Sequence, residues 1–388
     1  MLLAVNAFVG ALVGLERTVV PLLAGEVFGI ASAAAVASFL VAFGPAKALG
    51  NLFAGRLSER VGRRRVLIGG WLLGLPVPFI VIWAPDWGWV VAANLLLGLN
   101  QGLAWSMTVN MKIDLVGPRN RGLALGLNES AGYIAVGLSA FAAGSIAAVA
   151  GLRPEPFYLG IAAVAAGTAL SVLFIRDTGG HVAAEDAGKT ADVVPDLGRA
   201  FADGTVRRSD LQAIHQAGFV NNANDAFVWA VLPLVLLARG LDVAAVGLVA
   251  AAYPVTWGLL NVPAGWLSDR LGRLPLIVGG MLVQAAAVAS IAPDLGLTGA
   301  LISAVLLGAG TAMVYPTLIA AVSDRVTPAA RATHIGVYRF WRDIGTMAGA
   351  VGAGMATDQF GPVAAILGVA LITATSGLLA AIRLPRGS

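Results

Sequence analysis

Eight ionisable side chains lie inside long apolar runs of this sequence, and they are its first candidates for chemistry. They are Glu16, Arg17, Lys47, Glu129, Asp225, Arg339, Arg342 and Asp343. A charge at the centre of a lipid bilayer costs about 2.5–3.5 kcal/mol even on the lowest scales, so such side chains must face one another or a water-filled cavity. Carboxylates in these places can exchange protons, and arginine suits the binding of carboxylate or phosphate groups.

Spacing indicates which of these groups act together. Glu16 and Arg17 in the first apolar run fall at a depth similar to that of Asp225 in the seventh, and Asn221 and Asn222 add amides beside Asp225. We therefore expect substrate binding or proton coupling at Glu16 and Asp225. The alternative for Glu16 and Arg17 is an ion pair at a helix end near the outer surface.

The eleventh run carries the densest group of charges. Arg339 and Asp343 are four residues apart, so they can pair within one helix and leave Arg342 to bind an anionic group. The alternative is that these charges neutralise one another and have only a structural role. In the fifth run Glu129, with Tyr133 one turn further on, is either a proton site or the partner of a cation elsewhere.

A charged motif occurs twice, 210 positions apart, and predicts two equivalent halves. We expect each copy to be a short loop between two helices, with glycines that permit a tight turn and acid–base pairs that lock one face. Asp114 is expected to pair with the first copy and Asp324 with the second. The alternative is that these charges only fix topology and staple each half. The motif residues are Gly55, Glu59, Arg60, Gly62 and Arg63, followed by Gly265, Asp269, Arg270, Gly272 and Arg273.

The elements that position these residues are membrane helices. The chain is 58% hydrophobic and 12% charged, whereas soluble proteins carry about 25% charged residues. Twelve apolar runs of about 20 residues, from 3–23 to 362–382, predict an all-α membrane protein. We expect a six-helix bundle over 1–176, a linker over 177–210 and a second bundle over 211–388. Residues 195–202 are predicted as a short surface helix or as plain tether.

Basic residues indicate the orientation in the membrane. Arginines and lysines concentrate in alternate loops, whereas the loops between them hold only Arg153 and Arg239. The basic side is expected to be cytoplasmic, which places both termini inside the cell. The positive net charge follows this orientation and does not indicate nucleic-acid binding. The sequence has no cysteine, and its histidines show no metal-ligand spacing, so no metal or cofactor is expected.

The first motif copy resembles the signature between helices two and three of the major facilitator superfamily, with Glu59 in place of the usual Asp. The second copy resembles its echo between helices eight and nine. The resemblance implies twelve helices in two pseudo-symmetric bundles that work by alternating access. It also implies that helix two lies beside helix eleven, so that Lys47 can reach Asp343 and bridge the halves.

We therefore predict a secondary transporter of a small organic solute rather than an enzyme, acting as a monomer in the cell (inner) membrane. Proton-coupled efflux is the first interpretation, because buried carboxylates suit protons and no nucleotide-binding motif is present. A symporter or exchanger of organic anions or amphipathic lipids is the second, and a passive uniporter or pore is the third. Polar and aromatic side chains predicted to line the cavity are Gln101, Trp105, Tyr253, Trp257 and Tyr315.

Overall fold

The computed structural model describes residues 1–116, 121–179 and 196–384, except for the side chains of residues 59, 121–124, 328, 329, 331 and 332. Twelve long helices make up most of this described part. The first six are α1 (Leu2–Glu26), α2 (Ala33–Val61), α3 (Arg63–Trp83, interrupted after Gly74), α4 (Trp87–Val116), α5 (Arg121–Ala150) and α6 (Glu155–Leu173). The second six are α7 (Ser209–Ala238), α8 (Val243–Leu271), α9 (Arg273–Ala289), α10 (Gly296–Asp324), α11 (Pro328–Phe360) and α12 (Pro362–Arg383).

Helix length and apolar composition identify a multi-pass membrane protein. Within the described residues, ten helices are long and apolar enough to cross a bilayer. The other two are α9, which is shorter, and α11, which is long but carries the dense charge cluster. Both are flanked by spanning helices, and the predicted twelve-helix architecture is confirmed.

The sequence repeat is visible in the packing. In the first half α1 packs on α5 and α6, and α2 packs on α4. In the second half α7 packs on α11 and α12, and α8 packs on α10, which are the equivalent pairs. The halves meet along two further pairs, α2 with α11 and α5 with α8. Residues on these four helices can therefore bridge the halves.

The duplicated motif is mostly helical, which corrects the predicted loop. The predicted loops begin at Gly55 and Gly265, but α2 continues to Val61 and α8 to Leu271. Gly62 and Gly272 make the turns, with φ angles of +93° and +89° that favour glycine. The charged residues before these glycines can remain helical because they lie past the apolar span, where their side chains reach water.

The two faces of the bundle differ. We call the face where α1 begins and α12 ends the terminal face, and the other the opposite face. At the opposite face a Cβ added to Gly144 of α5 would lie 2.8 Å from the Cα of Gly247 of α8, so the helices touch there. At the terminal face a Cβ on Gly55 or Gly265 would meet nothing within 4 Å among the described residues. In this part of the chain the helices are therefore not in close contact at these two glycines.

A short helix, Leu197–Ala202, precedes α7 and packs against α11. The ring of Phe201 lies edge-on to Phe340, with ring centroids 5.2 Å apart. Of the two interpretations, the short helix is therefore the one that is formed, over Leu197–Ala202. The apolar ring of Phe201 is directed at the bundle rather than at a lipid surface. Residues 180–195, which are about half of the predicted linker, lie outside the described part of the chain.

Candidate functional site

The site forms where the two halves meet at mid-depth. A small cavity of about 20 Å³ lies between α1, α2, α4, α5, α7 and α11. Four of the eight predicted intramembrane charges line it, together with Gln101 and Trp105 from the predicted wall. Those four are Arg17, Lys47, Asp225 and Arg342.

An ion pair joins the halves beside this cavity. Lys47 Nζ of α2 lies 3.4 Å from a carboxylate oxygen of Asp343 on α11, which is the contact expected from the superfamily resemblance. Asn51 donates a hydrogen bond of 2.6 Å to the other oxygen. Arg342 also approaches Asp343, at 3.8 Å. In the described structure no ion pair joins Arg339 to Asp343, so the predicted pair within α11 is not formed.

Asp225 is held by the second half alone. The phenol of Tyr253 on α8 donates a hydrogen bond to one carboxylate oxygen, and Arg342 lies 3.8 Å from the other. The guanidinium carbon of Arg342 also lies 4.3 Å from the ring centroid of Tyr315. Protonation of Asp225 would weaken its contact with Arg342, because a neutral carboxyl attracts a cation less strongly.

The asparagines around Asp225 separate into two groups. Asn222 faces the cavity and donates to the hydroxyl of Thr346 on α11, at 2.7 Å. Asn221 and Asn224 instead hydrogen-bond to Gln284 on α9, at 3.0 and 2.9 Å. Asn221 therefore packs inside the second half, and the structure does not bring it to the cavity as the sequence suggested.

Glu129 lies nearer the terminal face and also touches both halves. It accepts a hydrogen bond of 2.9 Å from Trp105 Nε1 of α4 and one of 3.3 Å from the Tyr315 hydroxyl of α10. A cleft of about 500 Å³ between α5, α8 and α10 reaches Glu129 from the terminal face. No ion pair joins Glu129 to a cation among the described residues, so the alternative of a cationic partner is not a direct contact in this conformation.

Aromatic rings fill the space between these charges. Tyr133 of α5 stacks on Trp257 of α8, with ring centroids 3.5 Å apart. Trp105 and Tyr315 contact the same pair. The predicted wall residues Tyr253 and Trp257 are therefore buried supports behind the cavity, and the stack joins the two halves.

Glu16 and Arg17 are both only 1% exposed, so they are not a surface pair at a helix end. Arg17 faces the central cavity, while the Glu16 carboxylate has Asn94 of α4 as its polar neighbour. No ion pair links the two in the described structure. Neither side chain has a hydrogen-bond partner at its charged atoms.

The charged motif residues pair within each half. Arg63 Nε lies 2.8 Å from Asp114, and Arg273 Nε lies 2.9 Å from Asp324 and also contacts Asp269. Both predicted acid–base pairings are present, although neither crosses between the halves. Arg270 stacks on Trp266. The side chain of Glu59 lies outside the described part.

Sequence reasoning missed several polar residues. Asn51 lies one turn after Lys47 on α2, and that spacing was the available signal. Asp358 ends α11 and hydrogen-bonds to Ser32 and to the backbone of Ala33, at 2.6 and 2.7 Å. Nothing local marks Asp358, because its partners lie more than 300 residues away in the chain.

Comparison with known proteins identifies the family of this chain. The sequence profile of the Major Facilitator Superfamily matches residues 2–209 and 216–388. The chain is 26% identical over 363 residues to "Uncharacterized MFS-type transporter YddS" of Bacillus subtilis (strain 168), covering 90% of this chain and 82% of that protein. It is 31% identical over 127 residues to the multidrug resistance protein MdtH of Aeromonas salmonicida (strain A449), 32% of each chain.

Two further similarities cover very different lengths. The inner membrane transport protein YajR of Escherichia coli (strain K12) is 35% identical over 86 residues, which are 22% of this chain and only 18% of that protein. A crystal structure of a POT family transporter in complex with a thioalcohol-conjugated peptide superposes with a TM-score of 0.78, covering 98% of this chain and 94% of that one. Its sequence identity of 13% shows a shared fold alone. Because the superfamily profile covers nearly the whole sequence, this chain belongs to the major facilitator superfamily, as a transporter rather than an enzyme.

Proposed function

We propose that the protein is a proton-coupled secondary transporter that moves a small organic solute by alternating access. The observation that carries this proposal is the charged centre shared by the two halves. Lys47 of the first half pairs with Asp343 of the second, and Glu129 of the first bonds to Tyr315 of the second. Relative movement of the halves must break or remake these contacts, so solute or proton binding there can bias the movement.

The described conformation supplies one end of the proposed cycle. Tight contacts close the opposite face between α5 and α8, while the cleft beside Glu129 leads in from the terminal face. Rocking the halves would open the opposite face and close this cleft. The bundles proposed to move are residues 1–176 and 211–388, joined by the linker 177–210.

Asp225 and Glu129 are the proposed proton carriers. Each is buried, and each is held by a hydroxyl or indole donor whose bond survives while the acid exchanges a proton. Asp343 is less suited, because Lys47 and Arg342 both lie against its carboxylate. We propose export as the direction, supported by the local similarity to MdtH.

A second candidate, symport or exchange of an organic anion, is supported by the charges at the cavity. Arg17, Lys47 and Arg342 bring three cations to its wall, against a single lining carboxylate. Such an excess attracts negative charge. The two candidates share the fold and the centre and differ in the direction of proton movement.

The terminal-face clusters are proposed to regulate opening of that face. Arg63 with Asp114, and Arg273 with Asp324, fix the ends of helices that move during the cycle. Asp114→Asn is expected to slow transport several-fold while the protein stays folded. If Asp114→Asn transports at the normal rate, the cluster has only a structural role. We further propose that the terminal face is cytoplasmic in the cell (inner) membrane and that the monomer is sufficient.

Transport into proteoliposomes with an internal pH dye tests the proposal. A panel of organic cations, anions and neutral solutes is added with and without an imposed pH gradient. Solute-dependent proton movement is expected, opposite to the solute for export and with it for symport. Asp225→Asn should abolish this proton movement, whereas Asp294→Asn, an exposed acid at the opposite face, should not. Solute equilibration that ignores the pH gradient would identify a uniporter or pore instead.

A further inference from the structure

Arg17 is a buried cation whose hydrogen-bonding capacity is unused. Its side chain is 1% exposed, and among the described residues none of its three guanidinium nitrogens has a hydrogen-bond partner. Buried polar groups in proteins nearly always have partners, and a guanidinium carries five N–H donors. Because the group lines the central cavity, the missing acceptor is one that enters that cavity.

Aromatic rings from both halves surround this cation. Its guanidinium carbon lies 4.4 Å from the ring centroid of Phe43 on α2 and 4.7 Å from that of Trp229 on α7. Phe39 is a third ring, at 5.8 Å. Cation–π contacts stabilise the charge, but a ring provides no oxygen for the N–H groups. The rings therefore hold the guanidinium in place and leave its hydrogen-bonding edge for a ligand.

The protein groups nearby do not supply the acceptor. Asp225 accepts a hydrogen bond from Tyr253 through one oxygen, and its other oxygen lies 3.8 Å from Arg342 and forms no hydrogen bond with Arg17 among the described residues. Glu16, the next residue in the chain, forms no ion pair with Arg17 in the described structure and has Asn94 as its polar neighbour. In this conformation a cavity of about 20 Å³ has room for roughly one water molecule, which accepts too few hydrogen bonds for five donors, so a larger ligand enters only when the halves move apart.

The charges that line the cavity, together with their ion-pair partners, leave one positive charge in excess. Arg17, Lys47 and Arg342 are balanced by Asp225 and by Asp343, which contacts the latter two cations. A single negative charge entering beside Arg17 would neutralise the group. Carboxylate matches this charge and also the planar fork of arginine, which binds two oxygens of one group at once.

We propose that Arg17 binds the carboxylate of an organic monoanion, and that Phe43 and Trp229 contact the apolar body attached to it. This inference rests on the proposed transport function and specifies its substrate class. An ionised Glu16 carboxylate would also neutralise the excess positive charge, from another side of α1. Removing that charge should therefore strengthen binding of the anion.

Binding to purified protein in phosphatidylcholine nanodiscs tests this assignment. The probes are 4-phenylbutanoate, 4-phenylbutylamine and 4-phenylbutan-1-ol, which share a ring and chain but differ in charge, together with inorganic phosphate. The variants are Arg17→Gln, Arg17→Lys and Glu16→Gln. Arg153→Gln is the matched control, because Arg153 also stacks on a phenylalanine ring but lies outside the cavity and donates to a backbone carbonyl.

The carboxylate is expected to bind at least tenfold more tightly than the amine, the alcohol or phosphate. Arg17→Gln should remove this preference, Arg17→Lys should retain only part of it, and Glu16→Gln should tighten carboxylate binding several-fold. Arg153→Gln should bind as the unaltered protein does. If Arg17→Gln fails to fold, Arg17→Lys and Glu16→Gln still test the assignment, because both variants keep a positive charge between the aromatic rings.

Three results would overturn the assignment: no preference for the carboxylate, a preference for phosphate, or carboxylate binding that Arg17→Gln and Arg17→Lys leave unchanged. These results are separable from failure of the proposed function. Solute-driven proton movement without carboxylate selectivity would reject only this substrate class. Selective carboxylate binding without any solute flux in proteoliposomes would reject only transport.

Discussion

Asp358 is predicted to hold the opposite face closed. It lies near the end of α11 in the second half, and its carboxylate accepts three hydrogen bonds from the start of α2 in the first half. The donors are the Ser32 hydroxyl at 2.6 Å and the backbone N–H groups of Ala33 and Ala34 at 2.7 and 3.1 Å. These N–H groups belong to the first helical turn, where no partner exists within the helix. A residue of one half therefore caps a helix of the other.

The effect of removing this cap can be bounded. Loss of an N-terminal cap costs about 0.5–2 kcal/mol, and the partly exposed position places Asp358 within that range. Opening of the opposite face breaks the cap in the unaltered protein, so Asp358→Ala destabilises only the closed form. We expect about 1–2 kcal/mol, which raises the ratio of open to closed protein roughly 5- to 30-fold. Asp358→Asn keeps one acceptor oxygen and should have an intermediate effect.

Pulsed electron paramagnetic resonance can measure the ratio of open to closed protein directly. The chain contains no cysteine, so spin labels at Trp83→Cys and Leu295→Cys report only the distance across the opposite face. Both positions are exposed, at 72% and 61%. Asp358→Ala should increase the population with the longer distance. Asp242→Ala is the control, since Asp242 caps its own helix α8 within one half through Ala245 at 2.8 Å.

An unchanged distance distribution in Asp358→Ala would refute the cross-half cap. The same conclusion would follow if Asp242→Ala shifted the distribution equally, because the effect would then report general loss of stability. A shift limited to Asp358 variants, with Asn between Asp and Ala, is the expected pattern.

Three further predictions concern other contacts. Asp343→Asn should lower the unfolding free energy of the solubilised protein by about 3 kcal/mol, the low end of the range for a buried pair, because it leaves partly buried Lys47 without its charge partner; adding Lys47→Met should recover part of this loss in thermal melts. Gly144→Val should favour the open opposite face in the same spin-label assay, since even a Cβ there would lie 2.8 Å from a backbone atom of α8; an unchanged distance would contradict the contact. Asp177 lies outside the spanning helices and, although burial raises the pKa of its carboxyl, hydrogen bonds from the backbone of Arg64 and Gly179 outweigh that and lower it below the ordinary 3.8. Its contribution to stability should therefore be present above that value and be lost as the pH falls through the lowered pKa, and Asp177→Asn should remove this acid-dependent part of the melting curve.

The sequence predicts most of the fold because membrane helices follow local rules. Apolar runs mark the spans, and the 210-residue repeat marks the equivalent halves, so the helix number and superfamily are both confirmed. Helix ends are less predictable where charged residues continue a helix into water. This is why α2 reaches Val61 and α8 reaches Leu271, beyond the apolar segments that hydropathy detects.

The site is predictable only in part, because side-chain partners depend on packing between distant helices. Intramembrane cost singles out eight side chains, and four of them line the cavity: Arg17, Lys47, Asp225 and Arg342. This cost does not specify which side of a helix faces the cavity. Asn221, for example, contacts Gln284 on α9 instead. The predicted roles in binding, gating and proton coupling stay predictions.

The most direct measurement of alternating access uses one cysteine at the central cavity. Thr346→Cys replaces a small buried side chain on the cavity wall. Membrane-impermeant thiol reagent is applied from each side of oriented proteoliposomes, with and without Asp358→Ala. Reaction should occur chiefly from the terminal-face side, and Asp358→Ala should shift it toward the opposite side. Equal reaction from both sides that Asp358→Ala leaves unchanged would indicate a continuous pore and contradict alternating access.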